Sequence, residues 1–131
     1  MSVNAKGPTG ELRPEWLTID HVQVAIPVGA EETARQFYGG VLGLHEVPKP
    51  PALAVRGGCW FEAGAIRLHL GADADFTAGR KAHPALVMRG LRSFVDARGL
   101  DVRWDDEIPG TVRCHVFDPF GNRIELIEAG D

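Results

Sequence analysis

Cysteine is scarce. Cys59 and Cys114 are the only two, and they form neither a CxxC pair nor a disulfide framework. Both read as small buried hydrophobes, and a reducing cytoplasm is the expected setting. Long apolar runs are absent, so no segment is expected to span a membrane. The opening stretch from Met1 to Pro14 is polar, with Gly7, Pro8 and Gly10, and has no apolar core of the secretory kind. A basic cluster is also lacking. The 14 Lys and Arg are outnumbered by 18 Asp and Glu, giving a formal charge of −4. That balance argues against a nucleic-acid partner held by phosphate attraction. There is no GxGxxG, P-loop, GxSxG or HExxH pattern, so nucleotide folds and the common hydrolases have no local support.

What is present fits one globular domain. The chain has 131 residues, 44% hydrophobic and 24% charged, which excludes bulk disorder. A chain of this length buries about two-thirds of its unfolded surface, enough for a core without disulfides or a structural metal. Residues 1–15 read as a flexible arm and residues 16–131 as a single domain.

Ile19 to Ile26 (IDHVQVAI) alternates as a strand and ends at Pro27. Glu31 to Val41 has helical spacing, with Ala34, Phe37, Tyr38 and Val41 on one side and two glutamates in the first turn. Leu44 to Val47 is a short strand, after which Pro48, Pro50 and Pro51 forbid regular pairing. Gly57 to Ala63 and Ala65 to Leu70 form two more strands. The same order then recurs: a strand from His83 to Met88, a helix from Leu91 to Arg98, a strand from Asp101 to Trp104, and a hairpin. The hairpin joins Thr111–Phe117 to Arg123–Glu128 across Asp118-Pro119-Phe120-Gly121-Asn122, which is strong turn chemistry.

Each half thus reads strand, helix, strand, strand, strand. From Gly43 to His69 is 26 positions, and from Gly99 to Glu125 is also 26. From His21 to Gly43 is 22 and from His83 to Gly99 is 16, so the halves differ by one six-residue insertion around the helix. Two copies of one supersecondary unit account for this: module one over 16–71, a linker over 72–81 and module two over 82–128.

The repeat places four side chains at equivalent points. His21 and His83 open the first strand of each half; His69 and Glu125 lie in the last strand of each half. Strand alternation puts His69 with Arg67 on one face and Leu68 with Leu70 on the other. Likewise Arg123, Glu125 and Ile127 oppose Ile124 and Leu126. A single strand histidine is more often a surface or core residue than a ligand, and the case rests on the four taken jointly. Three imidazoles and one carboxylate converging on a concave face would hold a divalent ion such as zinc, iron, nickel or manganese. Such an ion would act as a Lewis acid on a bound carbonyl or enolate. His45 falls outside this set and is expected to be exposed. His115 shares the parity of Glu125 and is expected either to line the cavity or to be structural.

Arg67, Arg113 and Arg123 are candidates to bind a carboxylate or phosphate through a bidentate fork. Trp60, Phe61, Trp104 and Phe117 are candidates to wall an apolar pocket, although core packing is the default for such rings.

The segments IDHVQVAI, FYGGVLGL, WFEAGAIRLHLGAD, KAHPALVM and DPFGNRIELIE resemble the vicinal oxygen chelate superfamily. That superfamily includes glyoxalase I, fosfomycin-resistance proteins, extradiol dioxygenases and bleomycin-resistance proteins. The resemblance runs over most of residues 18–128. It implies an α+β fold of two βαβββ modules, each a curved sheet with an outer helix, around a cupped cavity. It also implies a homodimer whose cavities draw on modules of one or both subunits. Metal ligands in such proteins come from the first and last strands of the modules, which here are His21, His69, His83 and Glu125. Glyoxalase I has a glutamate where His69 stands, which speaks against conversion of the methylglyoxal–glutathione adduct. His21, His83 and Glu125 match the two-His, one-carboxylate triad of the dioxygenase and fosfomycin branches.

The resulting expectation is a small metalloenzyme that chelates a small molecule through adjacent oxygens and performs lyase or isomerase chemistry. Glu125 and His69 are the catalytic candidates, and Trp60, His115 and the three arginines the substrate-binding ones. The alternatives are a metal-free protein that sequesters a drug or other ligand, as in bleomycin resistance, or a small dioxygenase.

Overall fold

The fold is taken from a computed structural model, which describes residue 10 and residues 12–130. The arm expected over residues 1–15 lies for the most part outside the described residues.

The repeat is realised as two four-stranded sheets with the same strand order. The first half contains β1 (Val22–Pro27), β2 (His45–Val47), β3 (Cys59–Ala63) and β4 (Ile66–Asp73), arranged β1-β4-β3-β2. The second contains β5 (Ala85–Met88), β6 (Arg103–Asp105), β7 (Arg113–Phe117) and β8 (Arg123–Glu128), arranged β5-β8-β7-β6. In each half the first strand runs parallel to the last, and the other pairings are antiparallel. A parallel first pair needs a crossover connection, and a helix supplies it each time. The first strand is also an edge strand in each half: Val22 of β1 is 38% exposed and Val87 of β5 is 56% exposed.

Registers confirm the equivalence read from spacing. Gln23 pairs with His69 and Ala85 pairs with Glu125. His21 and His83, each two residues upstream, therefore occupy matching places.

The helices depart from simple expectation. The first begins as α1 (Glu31–Ala34) and continues as a π-helix over Arg35–Val41. Its wider turn is closed by the Leu42 amide donating to the Phe37 carbonyl, and both Phe37 and Tyr38 turn into the core. Gly39 and Gly40 carry no side chain that the loosened turn would have to seat. The proline-rich stretch, barred from pairing, instead starts α2 (Pro51–Ala54), with Pro51 in the first turn, where no amide hydrogen is needed. The second crossover helix is α3 (Leu91–Arg98). Glu128 accepts hydrogen bonds from the amides of Gly90 and Leu91 at 3.0 and 2.9 Å, so a carboxylate sits at the positive end of α3.

The core lies between sheets and helices. Leu68 and Leu70 of β4 and Ile124 and Leu126 of β8 are buried, as the alternation requires. The modules are joined by polar contacts. Asn122, 2% exposed, donates from Nδ2 to the Ala25 carbonyl at 2.8 Å and accepts from the Gly79 amide at 2.8 Å. The Tyr38 hydroxyl donates to Asp118 at 2.7 Å. Arg98 donates to the carbonyls of Gly40 and Val41 at the end of the π-helix. Among the described residues no helix is long and apolar enough to cross a membrane.

Candidate metal centre

In the second half, β7 and β8 pair across the turn so that His115 stands directly opposite Glu125. His83 reaches the same carboxylate from just ahead of β5, where the Glu125 amide donates to the Pro84 carbonyl at 3.0 Å. His83 Nε2 lies 3.0 Å from Glu125 Oε1, and His115 Nε2 lies 3.6 Å from the same oxygen. The other oxygen, Oε2, accepts from Arg113 at 3.1 Å, and Arg113 also holds Asp105 at 2.9 Å. His83, His115 and Glu125 each offer one donor atom within 4.8 Å of the others. Burial opposes the charge on Glu125. The hydrogen bonds from His83 and Arg113, with the charges of Arg113 and His115, outweigh it and hold the carboxyl below its ordinary value.

The tautomer of His83 is fixed by its surroundings. Nδ1 lies 2.8 Å from the Lys81 carbonyl, which accepts only, so Nδ1 carries the proton. In the neutral ring, Nε2 then presents a lone pair to the Glu125 carboxylate at 3.0 Å. Two acceptors at that distance need a positive charge between them, a second proton or a cation. A neutral imidazole oriented through its other nitrogen, facing a carboxylate that is itself hydrogen-bonded, is a donor set suited to a divalent ion.

The first half is built alike with different side chains. Asp20 accepts from His21 Nδ1 at 3.0 Å and from Arg67 at 3.2 Å. The hydrogen bond from His21 is the main reason that the Asp20 carboxyl is held down. His21 stacks on His69, with centroids 4.1 Å apart, and His69 stacks on its cross-strand partner Trp60 at 3.9 Å. Burial, then the charge of His21, pushes the His69 imidazole below its usual value, which keeps it neutral at physiological pH. His69 is 8% exposed and borders a recess of about 390 Å³ shared with Asp20, His21, Trp60 and Arg67.

The four residues picked out by the repeat thus come together as two pairs within one chain, His21 with His69 and His83 with Glu125. The third donor beside the second pair is His115, which the repeat leaves out. Repeat symmetry dictates where a residue sits in its own sheet, not how the sheets face one another. The turn alone places His115 opposite Glu125, since it pairs Phe117 with Arg123.

Arg67 and Arg113 are committed to carboxylates, and among the described residues Arg123 is not. Of the expected aromatic walls, Trp60 does face the recess, whereas Phe61, 1% exposed, turns into the core. Trp104, 42% exposed beneath the guanidinium of Arg92, lines with Phe117 a separate open recess of about 370 Å³. His45 is exposed, as expected.

No family model and no curated protein matches the sequence. Solved structures do. A glyoxalase family protein from Bacillus anthracis is 45% identical, with a TM-score of 0.85 over 90% of this chain and 99% of its own. Lactoylglutathione lyase from Agrobacterium tumefaciens is 20% identical, with a TM-score of 0.63 over 89% of this chain and 96% of its own. The fosfomycin resistance protein FosX from Listeria monocytogenes is 10% identical, with a TM-score of 0.64 over 88% and 96%. The last two share the fold; the first, at its identity and coverage, places the chain by descent. The chain belongs to the glyoxalase family, within the vicinal oxygen chelate superfamily.

Proposed function

We propose that the protein is a metal-dependent enzyme that chelates a small molecule through neighbouring oxygens and carries out lyase or isomerase chemistry. The observation that carries this reading is the His83–Glu125 contact, in which Nε2 of an imidazole oriented through its Nδ1 lies 3.0 Å from a carboxylate oxygen, a spacing that a shared cation satisfies. His83 and Glu125 anchor the ion, and His21 and His69 complete the set from a second copy of the chain. The parallel construction of the two pairs supports this: each imidazole just ahead of the first strand has Nδ1 satisfied by a nearby oxygen, so that Nε2 is the atom each would offer an ion. His115 backs Glu125 from the facing strand. A zinc, iron, nickel or manganese ion bound there would supply Lewis acidity toward a carbonyl or enolate.

The chain's own residues do the rest. Arg113 holds one oxygen of Glu125 and leaves the other for binding. His69, stacked on Trp60, serves as a ligand or, where it does not hold the ion, as a proton acceptor. Two buried thiols suit a reducing cytoplasm.

Metal analysis of protein purified without chelators tests the reading. We expect close to one divalent ion per chain, with most of it lost in His83→Ala. Less than about a tenth of an equivalent, unimproved by adding zinc, iron, nickel or manganese, overturns it. Ligand binding undiminished by EDTA favours the sequestering alternative instead.

A further inference from the structure

Arg123 stands apart from the other arginines near the centre. Arg67 is paired with Asp20, and Arg113 bridges Asp105 and Glu125. Among the described residues Arg123 contacts no carboxylate, and its Nε is buried without a hydrogen-bond partner. The Nε of Arg113 is also unpartnered, but its terminal nitrogens are occupied. A guanidinium does not shed its charge, so a half-buried unpaired one carries a standing desolvation cost that an anion relieves.

Its position links it to the centre. Arg123 and Glu125 lie two residues apart on one face of β8, roughly 7 Å along the strand. The guanidinium lies 5.9 Å from the ring centroid of Phe117, its cross-strand partner. That contact fixes the side chain without neutralising it. Arg123 also borders a crevice of about 280 Å³ between β1 and the segment leading to β5, together with Gln23, Thr77, His83 and Asn122. No aspartate or glutamate is among the residues lining this crevice. The recess on the other side of Arg123 is different in charge. There Asp105, Asp106 and Glu107 outnumber Arg103 and Arg123, so the recess does not favour an anion.

We infer that this crevice receives the oxyanion end of the substrate, a carboxylate or a phosphonate, with Arg123 as its clamp. Gln23 and Thr77 supply the remaining polar contacts, and His83 on the same wall joins the oxyanion end to the metal centre. The crevice is smaller than the usual range for drug-sized ligands, so the molecule has few heavy atoms. The identification of the anion as part of a substrate rests on the function proposed above; the anion site itself rests on Arg123.

Calorimetric titration of EDTA-treated, dialysed protein separates the two. The probes are methylphosphonate and acetate, with glycerol as the uncharged control. We expect at least one anion to bind and glycerol not to. Arg123→Gln should weaken anion binding by about tenfold or more, and Arg92→Gln, which removes an equal charge elsewhere, should not. Arg123→Lys, which keeps the charge and loses the fork, should fall between, with thermal melts showing that each variant is folded. Absence of anion binding, binding undiminished in Arg123→Gln, or equal weakening in Arg92→Gln overturns the inference. Anion binding that survives while metal analysis fails removes the metal reading and leaves the anion site standing.

Discussion

At the scale of single residues, the two cysteines show how burial governs chemistry. Cys59 is 2% exposed, and burial, with the charge of Glu46 behind it, lifts its thiol from an ordinary 9.0 to about 11. Burial does the same to Cys114 in direction. The folded state therefore holds its proton where the unfolded chain gives it up. Stability is unaffected by Cys59 below pH 9.0 and declines as the pH climbs from there toward about 11. We expect thermal melts to fall across that interval, the Cys59→Ser variant to fall less, and a thiol reagent at pH 8 to label neither cysteine until denaturant is added. Labelling of the native protein within minutes would contradict this account. The thiols were legible as inert from sequence because two lone cysteines at unrelated spacings have no other common use. His115 was less legible as a ligand. Its counterpart opposite His69 is Trp60, so the two halves agree in position there and disagree in chemistry.

Among the elements, strands were easier to read than the segments between them. Leu91–Arg98 and Arg123–Glu128 form with the bounds that the pattern gives. The first strand begins at Val22 rather than Ile19, because Ile19 is 76% exposed and no strand among the described residues pairs with the alternation there. The π-helix and α2 were hidden because both arise from backbone freedom and proline placement rather than from side-chain periodicity. One short element can be tested by a single methyl group. Gly58 precedes β3 at φ +80°, and a Cβ there would lie 2.1 Å from the Leu70 carbonyl oxygen of β4. Neither backbone can yield without breaking the ladder that carries Trp60 and His69. Gly58→Ala is expected to cost about 3 kcal/mol or more in denaturant unfolding. Gly29→Ala, also at positive φ but with nothing within 4 Å, should cost less. Equal losses would show that backbone conformation alone, not the close approach of β4, decides the matter.

For the molecule as a whole, duplication was visible in the chain and confirmed by strand order, whereas the mutual placement of the halves was not. Spacing reports the position of a residue within its own module. The contacts that join the modules, such as Asn122 to Ala25, span 97 positions and leave no periodic trace. If the metal centre is completed between subunits, two broken chains should repair one another. A His21→Ala subunit and a His83→Ala subunit each fail alone. In a mixed dimer one centre loses both histidines and the other keeps all four. We expect refolded mixtures to regain up to about one ion per mixed dimer. No recovery, with mixed dimers present by mass, would locate the whole centre within one chain and favour His115 as the third ligand.

Asn122 has a consequence for how ligands enter. One side chain fastens β1, the linker at Gly79 and Asp118 of the turn before β8, and it does so from a buried position. Halves riveted in this way do not gape like jaws. On the inference drawn above, the crevice beside Arg123 takes its width from the folded arrangement of the halves, and a molecule too broad for it is turned away.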